Sequence, residues 1–145
     1  MSKRAMSVLA TVLLVATFSL SNPLNAADRE HKVVLQISDG SPEKQTLVLN
    51  VANNLQEFYG VDKVKIEIVA FGPGLHLLFK NNANKDRIGG LVGRGVQFSA
   101  CQITIKGMTK ALGYPPAINP QAVQVDRGVV RILDLSAQGY TLVQP

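Results

Sequence analysis

The most reactive side chain in this sequence belongs to its single cysteine, Cys101. Cys101 follows the apolar stretch 96–100 and precedes a stretch with helical spacing, so we expect it where a strand becomes a helix. Backbone N–H groups and the positive end of the helix dipole favour the thiolate at such a position, and the thiolate is the nucleophilic form. Without a second cysteine, an intramolecular disulfide is excluded. The alternative is a small apolar cysteine that packs at a tight junction.

Few other side chains bring catalytic or metal-binding chemistry. His76 follows the turn Gly72-Pro73-Gly74 and is a candidate base or hydrogen-bond donor near Cys101, although its apolar neighbours favour a partly buried or surface histidine. His31 lies close to the start of the expected mature chain. Two histidines and one cysteine, far apart in sequence, make a weak zinc site. We therefore predict no metal ion and no cofactor, with Cys101 as the catalytic candidate.

Two segments have some features of phosphate-binding loops. Residues 38–41 (SDGS) follow a strand and open a helix, which suits an anion, but helix capping explains them and a Walker lysine is missing. Asp39 and Glu43 are better interpreted as solvated acids of the first helical turn than as acid–base catalysts. Residues 89–95 (GGLVGRG) precede a strand instead of linking a strand to a helix, which is the wrong context for a dinucleotide loop. A nucleotide- or flavin-binding domain is therefore the weakest hypothesis.

The N-terminal residues 1–27 have the pattern of a secretory signal peptide. Two basic residues precede the apolar run 5–20, and Ala26-Ala27 offers small residues to a signal peptidase. We expect a single α/β domain over residues 28–145, located in the periplasm or secreted. The alternative is an uncleaved membrane anchor, although the run is short for a span. After cleavage we expect no stable membrane insertion.

The charge distribution argues against a nucleic-acid surface. The chain carries a net charge of +5, and Lys3 and Arg4 of the leader supply two of those charges. The remaining excess is scattered among acidic residues, without a basic stripe or a nucleic-acid-binding module. We predict no nucleic-acid partner.

Strand-like and helical segments alternate through the mature chain. Strands are predicted at residues 32–38, 65–71, 96–100, 122–125 and 140–143. Helices are predicted at residues 42–59 and 102–112, with shorter helical segments at 75–79 and 86–92. A last helix is predicted after Asp126, which suits its N-cap. This alternation predicts right-handed βαβ crossovers and a mostly parallel sheet with helices on both faces. The carboxyl edge of the sheet would then collect Asp39, the Gly72 turn, Cys101 and the Asp126 region.

The first long helix has clear end signals. Ser41 suits the N-cap, Pro42 the first helical position, and Gly60 a left-handed C-cap. Helical spacing predicts a buried stripe made of Leu47, Val51, Leu55 and Phe58.

Four consecutive stretches resemble the DsrE/DsrF-like family: residues 32–58, 66–79, 95–104 and 128–145. The most characteristic pieces are the Asn50 and Asn54 pair, the turn Gly72-Pro73-Gly74-Leu75, the motif Phe98-x-Ala100-Cys101-x-x-Thr104, and the segment from Gly128 to Pro145. Ile103 stands where many relatives have a polar residue, commonly Asn.

The resemblance implies both a fold and a function. The fold is a three-layer α/β/α sandwich with a mostly parallel five-stranded sheet, often assembled into homo-oligomers. Sulfur-relay members carry sulfur as a persulfide on a cysteine, and Cys101 occupies the matching position. We therefore expect a sulfur-relay or thiol-redox protein with a protein sulfur donor and acceptor. The alternative is a non-catalytic binding or assembly module of the cell envelope, in which Cys101 is structural.

Overall fold

A five-stranded, entirely parallel sheet forms the centre of the computed structural model, which describes residues 30–145. The predicted leader 1–27 lies outside the described residues. The strands are β1 (His31–Ile37), β2 (Val64–Ala70), β3 (Gln97–Cys101), β4 (Val123–Val125) and β5 (Thr141–Val143). They lie in the order β4-β3-β2-β1-β5. The prediction of an α/β fold with a mostly parallel sheet is confirmed.

Helices connect successive strands. They are α1 (Pro42–Tyr59), α2 (Lys85–Gly93), α3 (Gln102–Leu112) and α4 (Gly128–Ala137), and a 3-10 helix (Gly72–Leu78) precedes α2. Ser41 caps α1 through its hydroxyl, which accepts from the N–H of Lys44, and Pro42 takes the first helical position, as predicted. Gly113 ends α3 in the left-handed conformation. Gly60 ends α1 with a positive φ of 91° but a ψ of 145°, so its conformation is not the predicted left-handed cap.

The handedness of the crossovers explains which face each helix covers. The chain steps from β1 through β2 and β3 to β4 in one direction, and right-handed crossovers place all the intervening helices on one face. The last crossover returns from β4 to β5 across the whole sheet, so α4 lies alone on the opposite face. The result is a three-layer sandwich with one thick and one thin helical layer.

Two apolar clusters follow from this arrangement. The larger one joins β1, β2 and β3 to the helices of the thick layer, and Phe98 and Ala100 point into it. The smaller one lies under α4 and contains Val34, Val69, Ile132 and Leu135. Because neighbouring strand residues face opposite ways, Ser99 and Cys101 of β3 point toward the side of α4.

The predicted buried stripe of α1 is wrong at both ends. Leu47 is 40% exposed and Phe58 is 81% exposed, while Val51 and Leu55 are half-buried against the core. The helix instead buries a face that includes two glutamines. Gln45 donates to the carbonyl oxygen of Gly40 at 2.9 Å, and Gln56 donates to that of Arg94 at 2.9 Å. Because both buried amides are hydrogen-bonded, the helix can turn a partly polar face toward the sheet.

Candidate functional site

Cys101 lies at a junction without a connecting loop. It is the last residue of β3 and the N-cap of α3, with extended backbone angles (φ −71°, ψ 116°). Its strand partner is Val125 of β4. The sequence prediction of a strand-to-helix junction is therefore confirmed. An N-cap side chain sits in front of the unpaired N–H groups of the first helical turn, which is where a thiolate gains most from backbone donors.

Opposing effects act on the ionisation of Cys101. Burial alone would raise the pKa of the thiol. The side-chain hydroxyl of Thr104 and the backbone N–H groups of Gly128, Thr104 and Ile103 lower the pKa, and together they outweigh burial. The pKa therefore lies below the ordinary value for cysteine. The side chain of Cys101 forms no capping hydrogen bond with α3, so these groups favour the thiolate by stabilising its negative charge.

Thr104 is itself held in place by a neighbouring turn. Its Oγ1 accepts a hydrogen bond of 2.9 Å from the backbone N–H of Gly72. Gly72 has a φ of +54°, a conformation that other residues rarely adopt. The predicted glycine turn thus lies beside the cysteine, as the carboxyl edge of a parallel sheet requires. Its role here is to orient the hydroxyl that faces the sulfur.

The N-terminus of α4 differs from the sequence prediction. Asp126 was the expected N-cap of this helix, but the N-cap is Arg127, and no side chain caps the helix. The backbone N–H of Gly128, the first of α4, instead lowers the pKa of Cys101. Cys101 therefore stands before the N-termini of two helices, one in each layer of the sandwich. Both helix dipoles favour negative charge at this position.

Close packing fixes Gly128 where it is. A Cβ atom added to Gly128 would lie 3.1 Å from both Cβ and Cδ1 of Phe71. Such contacts are tighter than ordinary van der Waals contacts, so the Phe71 side chain or the start of α4 would have to shift to admit a larger residue. The glycine allows the N–H group to approach the sulfur.

An ion pair beneath α4 anchors that helix to the sheet. Arg131 donates from Nε to Oε1 of Glu67 at 2.8 Å and from Nη2 to Oε2 at 2.7 Å. Glu67 is buried in the middle of β2 and also accepts a 2.6 Å hydrogen bond from the hydroxyl of Ser99. Breaking such a buried pair leaves an uncompensated charge, so the pair fixes the position of α4. Sequence reasoning missed this cluster, although one acid inside an apolar strand was the available signal.

The sulfur faces a cavity of about 330 Å³ between α3 and α4. Cys101 is 5% exposed and belongs to neither of the two apolar clusters. It is thus not sealed beneath Phe98 and Met108, which belong with the larger cluster on the other side of the sheet. The wall of the cavity is largely apolar, with one cation at its rim. Its other lining residues are Phe71, Ile103, Thr104, Arg127, Gly128, Val129 and Val130.

The remaining predicted candidates lie elsewhere. His76 packs edge-on against Phe79 and does not line the cavity at Cys101. His31 stacks on Tyr59 with 3.9 Å between the ring centroids, at the opposite edge of the sheet. Asp39 accepts the N–H of Ser41 at 2.7 Å, which lowers the pKa of its exposed carboxyl. Asp39 thus stabilises a local turn in the loop before α1.

Residues 30–145 contain neither a metal-binding cluster nor a membrane-spanning helix. No group of three or more His, Cys, Asp or Glu side chains in this part of the chain could hold a metal ion. Within the same residues, no helix combines the length and the hydropathy needed to cross a bilayer.

Comparison with known proteins supports the fold and assigns no activity. Neither a protein-family model nor a curated protein matches the sequence. Among solved structures, the chain is similar to MTH1491 from Methanobacterium thermoautotrophicum, described as a protein of unknown function. The TM-score is 0.71 at 25% sequence identity, and the match covers 80% of this chain and 100% of that chain. The two chains share the α/β fold.

Proposed function

We propose that this protein is a DsrE/DsrF-like sulfur carrier of the periplasm, which holds sulfur as a persulfide on Cys101. The observation that carries the proposal is the meeting of two helix N-termini and the Thr104 hydroxyl at one sulfur that faces a cavity. These donors favour the thiolate, and an anionic persulfide in the same place would face the same donors. The resemblance at residues 95–104 supports the proposal independently of this geometry.

The proposed reaction is sulfur transfer without net oxidation. The Cys101 thiolate attacks the terminal sulfur of a donor persulfide, a new S–S bond forms, and the donor's S–S bond breaks. Both electrons of the broken bond leave with the donor as a thiolate, so no oxidant is needed. The thiolate of an acceptor protein then attacks the terminal sulfur on Cys101 and restores the original thiolate. Turnover with donor and acceptor would make the protein a sulfurtransferase.

A second function is a non-catalytic envelope module in which Cys101 is structural. The observation that favours it is the low exposure of Cys101, at 5%. A buried thiol at a tight junction contributes packing without chemistry. In that case replacement of Cys101 by alanine would preserve the biological role.

We also propose that copies of the chain associate around the cavity. Three apolar side chains that line it are exposed to solvent: Ile103, Val129 and Val130. Leu133, which is also exposed, lies four positions after Val129 on α4. Val129, Val130 and Leu133 lie on the outer face of α4, which is alone in the thin layer among the helices of residues 30–145. Contact with a second copy would bury this surface and enclose the sulfur from water.

The test is treatment of the reduced protein with inorganic polysulfide, followed by intact-protein and peptide mass spectrometry. We expect one or more added sulfur atoms on Cys101, removed by dithiothreitol. Cys101→Ala is the negative control, and Thr104→Ser, which keeps the hydroxyl, is the positive one. A Cys101 thiol that stays unmodified and titrates like free cysteine would overturn the proposal and favour the structural function.

A further inference from the structure

A groove between α1 and α2 gathers two arginines and two asparagines, away from Cys101. It has a volume of about 230 Å³. Arg87 and Arg94 come from the α2 region, seven positions apart, which places them near the same side of two helical turns. Asn50 and Asn53 lie three positions apart on α1 and therefore share a face. The groove thus brings together hydrogen-bonding side chains of two neighbouring helices.

Neutral side chains hold both arginines. Arg87 donates from Nη2 to Oδ1 of Asn50 at 2.6 Å. Arg94 donates from Nη2 to Oδ1 of Asn53 at 2.8 Å and from Nε to Oε1 of Gln56 at 2.9 Å. These bonds orient the guanidinium groups but bring no negative charge to them. A guanidinium has five N–H donors, so most donors of Arg87 and several of Arg94 have no acceptor within residues 30–145.

No carboxylate among the described residues forms an ion pair with these two arginines. The ion pairs found in residues 30–145 join Lys65 to Glu30 and Arg131 to Glu67. Glu57 lies nearby on α1, but it accepts a 2.6 Å hydrogen bond from Nδ2 of Asn53 instead of pairing with arginine. Neither Arg87 nor Arg94 forms an ion pair with a described residue, so the groove carries two exposed positive charges.

Gly90 leaves room for a ligand between the arginines. It lies midway between them on α2, and a Cβ atom added there would meet no atom within 4 Å. The buried side chains of Leu49 and Leu91 form the floor. Planar guanidinium groups bind the oxygens of phosphate or sulfate bidentately, and two of them around an open space suit a tetrahedral anion.

We propose that this groove binds the oxyanion of a small phosphate- or sulfate-bearing ligand through Arg87 and Arg94. The proposal gives a role to the glycine-rich segment 89–95, which lacks the context of a dinucleotide loop. Arg94 precedes β3 and Cys101 ends it, so the two sites lie toward opposite edges of the sheet. The anion site is therefore independent of the proposed function at Cys101.

The test is a titration of the ¹⁵N-labelled protein with inorganic phosphate at constant ionic strength, with chloride as the reference anion. We expect saturable shifts of the Gly89 and Gly90 amides that chloride does not produce. Arg87→Gln should weaken binding by about tenfold, the effect of losing one charged hydrogen-bonding group. Arg87→Lys should also weaken it, because lysine keeps the charge without the planar fork. Lys110→Gln on α3 removes the same charge elsewhere and should leave binding unchanged.

Parallel titration with glycerol 3-phosphate distinguishes the source of the anion. Tighter binding of the ester than of phosphate assigns a phosphate monoester, and equal binding assigns the free ion; both support the site. If a variant fails to fold, the amide shifts of the wild-type protein alone test the proposal. Shifts that do not saturate, that match those of chloride, or that lie outside the groove would overturn the proposal. Equal weakening by Arg87→Gln and Lys110→Gln would also overturn it, because it would indicate nonspecific charge.

Discussion

The hydroxyl of Thr104 accepts the backbone N–H of Gly72 at 2.9 Å, which leaves its own hydrogen free for the sulfur of Cys101. Among the groups that lower the pKa of Cys101, this hydroxyl has the largest effect. The glycine turn after β2 therefore acts on the thiol through an intermediate side chain.

Replacement of Thr104 by valine should raise the pKa of Cys101. Valine keeps the branched shape but removes both the donor to sulfur and the acceptor for Gly72. The rate of alkylation by iodoacetamide, measured against pH, should therefore have a higher midpoint in Thr104→Val than in wild type. Thr104→Ser is the matched control and should keep the wild-type midpoint. An unchanged midpoint in the valine variant would contradict the assigned role of the hydroxyl.

The free energy of unfolding should rise with pH because the pKa of Cys101 is lowered in the folded state. Its pKa is lower in the folded state than in the unfolded chain, where a thiol titrates near ~8.5. Between these two values the unfolded chain binds more protons, so the stabilising contribution of Cys101 rises with pH. It is complete above the unfolded pKa and is lost as pH falls through the folded pKa. Urea unfolding of wild type and Cys101→Ala across this range should show a growing difference in unfolding free energy.

Replacement of Gly128 by alanine should disturb the site and the fold together. The new Cβ would press on Phe71 at 3.1 Å and displace the start of α4, at a cost of about 1 kcal/mol or more. The pKa of Cys101 should rise, because the N–H of residue 128 moves away. Gly107→Ala is the control: it lies within α3, meets no atom within 4 Å and should stabilise by about 0.5–1 kcal/mol. Thermal unfolding and the alkylation profile measure both effects.

Loss of Arg131 should be costly because Glu67 would remain buried. Arg131→Met should lower the unfolding free energy by about 3 kcal/mol, the usual order for breaking a buried pair. Replacing both Arg131 and Glu67 with methionine removes the unpaired buried charge. The double change should therefore lower the unfolding free energy less than Arg131→Met alone. Chemical denaturation of the single and double variants measures the difference. A single variant as stable as wild type would show that the pair does not anchor α4.

The exposed apolar face of α4 should determine assembly. If copies associate through it, Leu133→Glu should shift the protein toward monomer, because a carboxylate cannot be buried there without a partner. Light scattering after size-exclusion chromatography measures the mass directly. Lys110→Gln on α3 makes the same change of one charge unit outside this face. Equal masses for wild type and Leu133→Glu would exclude this surface as the interface.

The sequence predicted the elements well because their signals are local. Ser41 and Pro42 start α1 through their own chemistry, and Gly113 ends α3 through its conformational freedom. The junction at Cys101 could be predicted for the same reason, since strand and helix patterns meet there without a loop.

Long-range relations between side chains were harder to predict. Buried Gln56 donates to the carbonyl oxygen of Arg94, 38 positions later, and buried Gln45 donates to that of Gly40. Helix α1 therefore turns a different face to the sheet from the stripe expected from hydropathy. Thr104 and Gly128 belong to the segments that resemble the family, but only the folded chain brings both to the sulfur. No local pattern shows that Asp126 does not cap α4. The group that interacts with the start of α4 instead is Cys101, which lies 25 positions earlier in the sequence.

The return of the chain from β4 to β5 also has a consequence for the order of folding. The donors from α3 arise locally, as soon as β3 and the following helical turn form. The donor from Gly128 arrives only after nearly the whole polypeptide has been made and α4 has been laid across the finished strands. An incomplete chain therefore carries a cysteine with a more ordinary acidity. The lowering of the Cys101 pKa is thus complete only once the C-terminal segment docks.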